Sequence, residues 1–202
     1  MLRGMVSLDP DEREHAMGTF WSAPLHQGSV YTATLASVPF LIEALSVAYT
    51  NREQLLQMLG AIGVGWVESY TGQPKALADF NPGRAVEHPG RRRHFDHDER
   101  GLSRDCYLVV AEGCPQYLAL LADPEQPESL RSYAANLLGW FPPPAFDARR
   151  VLRALFADGS ASESLRASAA LALGHPGDPV PFTRQPSPLL DASVRLAAAL
   201  HG

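Results

Sequence analysis

Lysine is almost missing from this chain: Lys75 stands alone against sixteen arginines, so nearly every cation is a planar guanidinium suited to forked pairing. Cysteine is just as scarce. Cys106 and Cys114 are the only two, and their spacing on helical sequence does not bring them within bonding distance, which excludes a disulfide-stapled fold and leaves two reduced, buried thiols. No apolar run approaches the ~20 residues needed to cross a bilayer, so no membrane-spanning segment is expected. The opening "MLRGMVSLDPDEREHAMG" turns acidic at Asp9 and has no apolar stretch of roughly 7–15 residues; it does not read as a secretion signal, and the expected location is the cytoplasm. Positive charge is in deficit as well. Seventeen Lys and Arg face 22 Asp and Glu for a net charge of −5, which repels phosphate backbones and argues against a nucleic-acid partner.

What the chain does contain is a repetition. "SLRSYAANLLG" (129–139) and "SLRASAALALG" (164–174) lie thirty-five positions apart and share seven of eleven residues. Leu130, Ala134, Leu137 and Leu138 fall at the i, i+4, i+7, i+8 positions of a helix with one buried face, and Leu165, Ala169, Ala172 and Leu173 repeat them. The small alanines between allow a neighbouring helix to come close, and Gly139 and Gly174 suit helix ends, with "PPP" and "HPG" beyond to prevent continuation. A further helical segment precedes each copy, "CPQYLALLADPEQPE" and "FDARRVLRALFADGSASE", so the unit is helix, Asp-containing turn, helix. A shorter third echo, "SPLLDASVRLAAALHG", places Val194 and Arg195 where Leu130–Arg131 and Leu165–Arg166 stand. Three units are about the minimum for such a stack to bury its own core.

An Asp turn followed by a hydrophobic residue, Arg, two small residues and Leu-Gly resembles the HEAT repeat, in the short bacterial form first associated with bilin-lyase proteins. The resemblance covers Gly113–Gly202. It implies an all-α solenoid of stacked antiparallel helix pairs, a right-handed superhelix, in which Arg131, Arg166 and Arg195 are ladder residues tied to the turn carboxylates Asp123, Asp158 and Asp191.

In the first half, "HQGSVYTATLASVPFLIEALS" and "NREQLLQMLGAIGVGWVESY" give another antiparallel helix pair. Ser29 is the expected cap of the first helix, Pro39 the point of a kink or a fresh start capped by Ser37, and Asn51 with Gln54 the capping pair of the second, which buries Leu55, Leu59, Ile62 and Trp66. "HQGSVYTAT" with "VPFLIEAL" resembles the opening of a group of bacterial HEAT-repeat proteins in which a His-Gln-Gly turn precedes the first repeat. Some of that group are similar to immunity factors encoded beside secreted toxins. The resemblance makes His26 and Gln27 candidates for the edge of a binding face; the alternative is that they hydrogen-bond a helix end.

Helical spacing disappears from about 73 to 103, where "HPGRRRHFDHDERG" collects histidines, acids and arginines. His94, Asp96, His97 and Asp98 are ligands of the right chemistry for a metal, but Arg91–Arg93 beside them repel a cation and no second His/Cys cluster supplies the remaining ligands, so no metal or other cofactor is expected. The arginines are in turn nearly neutralised by Glu87, Asp96, Asp98 and Glu99, which argues against a nucleic-acid patch. A solvated insert is the reading.

HEAT-like solenoids include enzymes. The diiron hydroxylase branch needs His-Glu pairs, and that dipeptide occurs nowhere here. The alkylpurine DNA glycosylase branch needs a basic concave face, which this composition does not supply, although Tyr133, Trp140 and Asp147 keep that alternative in view; bilin-lyase residues find no match. There is no G-x-S-x-G elbow, no phosphate-cradling loop and no cysteine spaced for a basic partner. The expectation is therefore a single domain over 1–202 of about five helix pairs, with an insert at 73–103, acting without catalysis as a protein-binding scaffold, an immunity-type inhibitor being one form. Binding would use the concave face of the solenoid, lined by the second helices, and its contact residues would be their exposed positions: Tyr133, Asn136 and Trp140, then Ser168 and Leu171. A homodimer through the C-terminal helix, sealing Ala197–Ala199 and Leu200, is a further expectation.

Overall fold

A computed structural model describes residues 1–25, 30–63, 97–140, 146–174 and 187–199. These residues form helices and their connections, with no strand among them. None of the helices is long and apolar enough to cross a membrane. Contacts group the chain into two compact units, Met1–Gly113 and Cys114–Gly202.

The first unit opens with a short 3-10 helix, Leu2–Val6, followed by α1, Pro10–Ser22. Asp9 starts α1: its carboxylate accepts from Asp11 N at 3.0 Å, Pro10 needs no donor partner there, and Asp11 and Glu12 complement the positive helix end. Tyr49 donates its hydroxyl to the Val6 carbonyl at 3.2 Å while Arg13 lies 5.4 Å over its ring.

Helix α2 runs Thr32–Ala44 and α3 Arg52–Gly63. Pro39 lies inside α2 instead of restarting it. Ser37 correspondingly caps nothing, and its hydroxyl turns inward to the Thr34 carbonyl at 2.6 Å. The N-cap of α2 is Tyr31, not Ser29, because Thr34 fixes the entry: its hydroxyl accepts from Tyr31 N and donates to the Pro24 carbonyl, and the side chain is fully buried. Asn51 caps α3 by accepting from Gln54 N at 3.1 Å, which frees Leu55, Leu59 and Ile62 to fill the core.

Helix α4, His97–Ala111, packs against both α2 and α3. It begins inside the stretch read from sequence as an insert to 103. Cys106 and Val110 are fully buried one turn apart. Residues 73–96 of that insert lie outside the described residues.

The second unit contains α5, Cys114–Ala122; α6, Glu128–Gly139; α7, Phe146–Ala157; α8, Glu163–Gly174; and α9, Pro188–Ala199. Short turns return α6 against α5 and α8 against α7. The later member of each pair then continues the packing: α6 lies against α8, and α8 against α9. Both cysteines are free thiols, Cys106 buried and Cys114 half-buried, and burial pushes each up to about 11, with Asp105 adding to the effect at Cys106.

Candidate protein-binding face

Each of α6, α8 and α9 begins in the same way. The amide nitrogens of Arg131, Arg166 and Asp191 donate to the carbonyls of Pro127, Ser162 and Ser187 at 3.1, 3.0 and 2.9 Å. The hydroxyls of Ser162 and Ser187 accept from Leu165 N and Leu190 N. Burial keeps the same count: Leu130, Ala134 and Leu137 on α6, Leu165, Ala169 and Ala172 on α8, and Leu190, Val194 and Ala197 on α9 are all buried.

This alignment corrects the third echo by about one helical turn. Leu190 and Asp191, not Val194 and Arg195, occupy the places of Leu165 and Arg166. Matching the Val-Arg dipeptide by identity misses the register because the cap at Ser187 and the buried stripe set it. Arg195 Nε donates to Asp191 Oδ2 at 2.8 Å, within the same helix.

Arg131 and Arg166 do tie helix to helix, through a different acceptor from the one the resemblance implies. Arg131 Nε donates to the Leu121 carbonyl and Arg166 Nε to the Phe156 carbonyl, both at 3.0 Å, closing the last turns of α5 and α7. The turn acids work on the turn itself: Asp123 Oδ1 accepts from Glu125 N at 3.0 Å, and Asp158 Oδ1 from Ser160 N at 2.9 Å. The Ser160 hydroxyl also donates to Asp158, which with that amide and the charge of Arg166 holds the carboxyl below its usual value.

Two glycines bring the helices together. A Cβ on Gly139 would lie 2.7 Å from the Ala172 backbone, and one on Gly174 would lie 2.6 Å from that of Ala197. Glycine is required at both places for this approach. Ser187 Oγ donates to Glu163 Oε2 at 2.8 Å at the other end of α8, so α8 and α9 run parallel.

The outward positions of these helices carry the residues singled out from sequence. Tyr133 is 38% exposed and Asn136 is exposed; Trp140, the C-cap of α6, is half-buried. Ser168 and Leu171 are half-buried at the matching places on α8, with the Ser168 hydroxyl bonded back to the Ser164 carbonyl. On α9 the matching residues are Ser193, buried and bonded to the Leu189 carbonyl, and Leu196, 52% exposed. Leu189 is 48% exposed at the place of Ser129 and Ser164. Sequence reading missed Leu189 and Leu196, and the Ser187 cap is the signal that finds them. Ala197, expected on an open flank, is fully buried against Gly174. His26 and Gln27 lie outside the described residues.

Among the described residues no group of three His, Cys, Asp or Glu is placed to hold a metal ion; His94 and Asp96 lie outside them. No family model, curated protein or solved structure matches the chain.

Proposed function

We propose that this chain is a non-catalytic protein-binding scaffold, a HEAT-like right-handed α-solenoid that uses the outward face of its second helices. One observation supports the reading: α6, α8 and α9 share a single register, so Asn136, Leu171 and Leu196 line up on their outward side, with Tyr133 and Ser168 beside the first two. A surface ordered before binding loses little conformational freedom on association, and an aromatic such as Tyr133 contributes most of the energy where it is half-exposed on such a surface. The face grows apolar from α6 toward α9, from Asn136 to Leu196 and from Ser129 to Leu189. The matching partner is a folded protein with an aliphatic patch at one end of its contact and polar groups at the other.

Affinity capture of the tagged chain from its host's lysate, read by mass spectrometry, tests this. A Tyr133→Asp, Asn136→Asp double variant serves as control. The expected result is one stoichiometric protein, absent from the variant's capture. Recovery of nucleic acid or a coloured small molecule without a protein would contradict the reading.

A further inference from the structure

The chain holds four methionines, and three of them are buried by different elements. Met17 and Met58, 2% and 0% exposed, lie within α1 and α3, so they meet solvent when those helices leave the core. Met5 is also 0% exposed, but it is carried by the five-residue 3-10 helix Leu2–Val6, which packs on α1 and α2.

That segment is placed to move without the helices beneath it. Ser7, just beyond it, is fastened to α1: its hydroxyl accepts from Asp9 N at 3.2 Å and donates to Glu12, and its carbonyl accepts from Arg13 Nη1 at 2.6 Å. The start of α1 is therefore fixed whether the segment is seated or lifted. Turning the backbone at Ser7 breaks one bond of the segment's own, Ser7 N to the Gly4 carbonyl at 3.1 Å. Among the described residues, the segment is seated by the Met5 side chain, by Gly4 against Ala16, where an added Cβ would lie 2.9 Å away, and by the Tyr49 hydroxyl on the Val6 carbonyl at 3.2 Å. Arg13, 5.4 Å over the Tyr49 ring, holds that ring from the α1 side. A short segment with so little buried surface opens far more often than a core helix.

We propose that Leu2–Val6 is a hinged strap latched by Tyr49, and that Met5 on it is a peroxide-oxidised site whose sulfoxide holds the strap open. The thioether sulfur attacks one peroxide oxygen: an S–O bond forms, the O–O bond breaks, sulfur is oxidised and the peroxide is reduced. The proton on the transferred oxygen passes to the departing hydroxide, which leaves as water. The sulfoxide is polar, and returning it to an apolar seat strips the water from its oxygen, so the oxidised strap stays out. The site lies in the first unit and does not depend on the binding reading.

The test treats the full chain with hydrogen peroxide under native conditions and follows each methionine by peptide mass spectrometry. Met1, 52% exposed, sets the unhindered rate. Met5 is expected to oxidise at least about tenfold faster than Met17 and Met58. Tyr49→Phe, which keeps the ring under Arg13 and removes the latch, should speed Met5 about fivefold and leave Met17 and Met58 unchanged. Once Met5 is oxidised, hydrogen exchange should quicken over Leu2–Val6 and not over α3, and a Met5→Leu chain in the same peroxide should show no such change. Met5 oxidising in step with Met17 and Met58 overturns the proposal, as does a Tyr49→Phe chain that speeds none of the three or all alike. Oxidised Met5 with unchanged exchange over the strap overturns it too.

Discussion

Arg131 and Arg166 each use one nitrogen to satisfy a carbonyl that the end of the preceding helix leaves without a partner. Replacing either by Met keeps much of the apolar stem and removes the donor. The loss is expected to be about 1–2 kcal/mol, read as a lower urea midpoint at unchanged slope. Asp158 makes a finer prediction. Its carboxyl is held low first by the Ser160 hydroxyl, so its contribution to stability is complete above the ordinary carboxylate range and is lost as pH falls through the depressed value. Ser160→Ala should raise the Asp158 titration toward its usual position, followed by carboxyl-carbon NMR; an unchanged midpoint would show that the hydroxyl is not the cause. The thiols behave in the opposite sense. With Cys106 and Cys114 pushed up to about 11, both stay protonated through neutral pH and should react with disulfide reagents slowly until the chain is unfolded.

At the scale of the element, two glycines with opposite surroundings separate helix propensity from packing. Gly18 lies within α1 with nothing near an added methyl, so Gly18→Ala should stabilise by roughly 0.5–1 kcal/mol. Gly174→Ala drives the same methyl into the α9 backbone and should destabilise by about 1–3 kcal/mol. Thermal unfolding of the two variants side by side distinguishes these signs. The same elements show what the sequence discloses. α6 and α8 are legible because residue types recur at one fixed offset, down to the arginine and the closing glycine. α9 is legible as a helix and misplaced by a turn, since Val194–Arg195 imitates a repeat dipeptide while the cap at Ser187 sets the register. The start of α4 is hidden by "HDERG", whose charges and glycine interrupt the apolar spacing, although Leu102, Cys106 and Val110 carry it. α1 announces itself only through Asp9 and Pro10 before a mixed helix. The face was partly readable: Tyr133 and Asn136 follow from spacing, whereas exposure at Leu189 and Leu196 depends on which side of α9 meets α8, and that is decided by Gly174.

For the whole molecule, the proposed function places a partner protein on the outward side of α6, α8 and α9. Net charge of −5 argues against a nucleic-acid occupant. Tyr133→Ala should weaken partner binding while leaving the unfolding midpoint nearly unchanged, because the side chain is 38% exposed and the core of α6 is made by Leu130, Ala134 and Leu138. The most direct measurement is site-specific photo-crosslinking in host lysate, with a benzophenone side chain introduced in turn at Tyr133, Leu171, Leu196 and, on α7, Arg153. One common crosslinked protein is expected from the first three positions and none from the fourth. Crosslinking from Arg153 with none from Tyr133, Leu171 or Leu196 would contradict it.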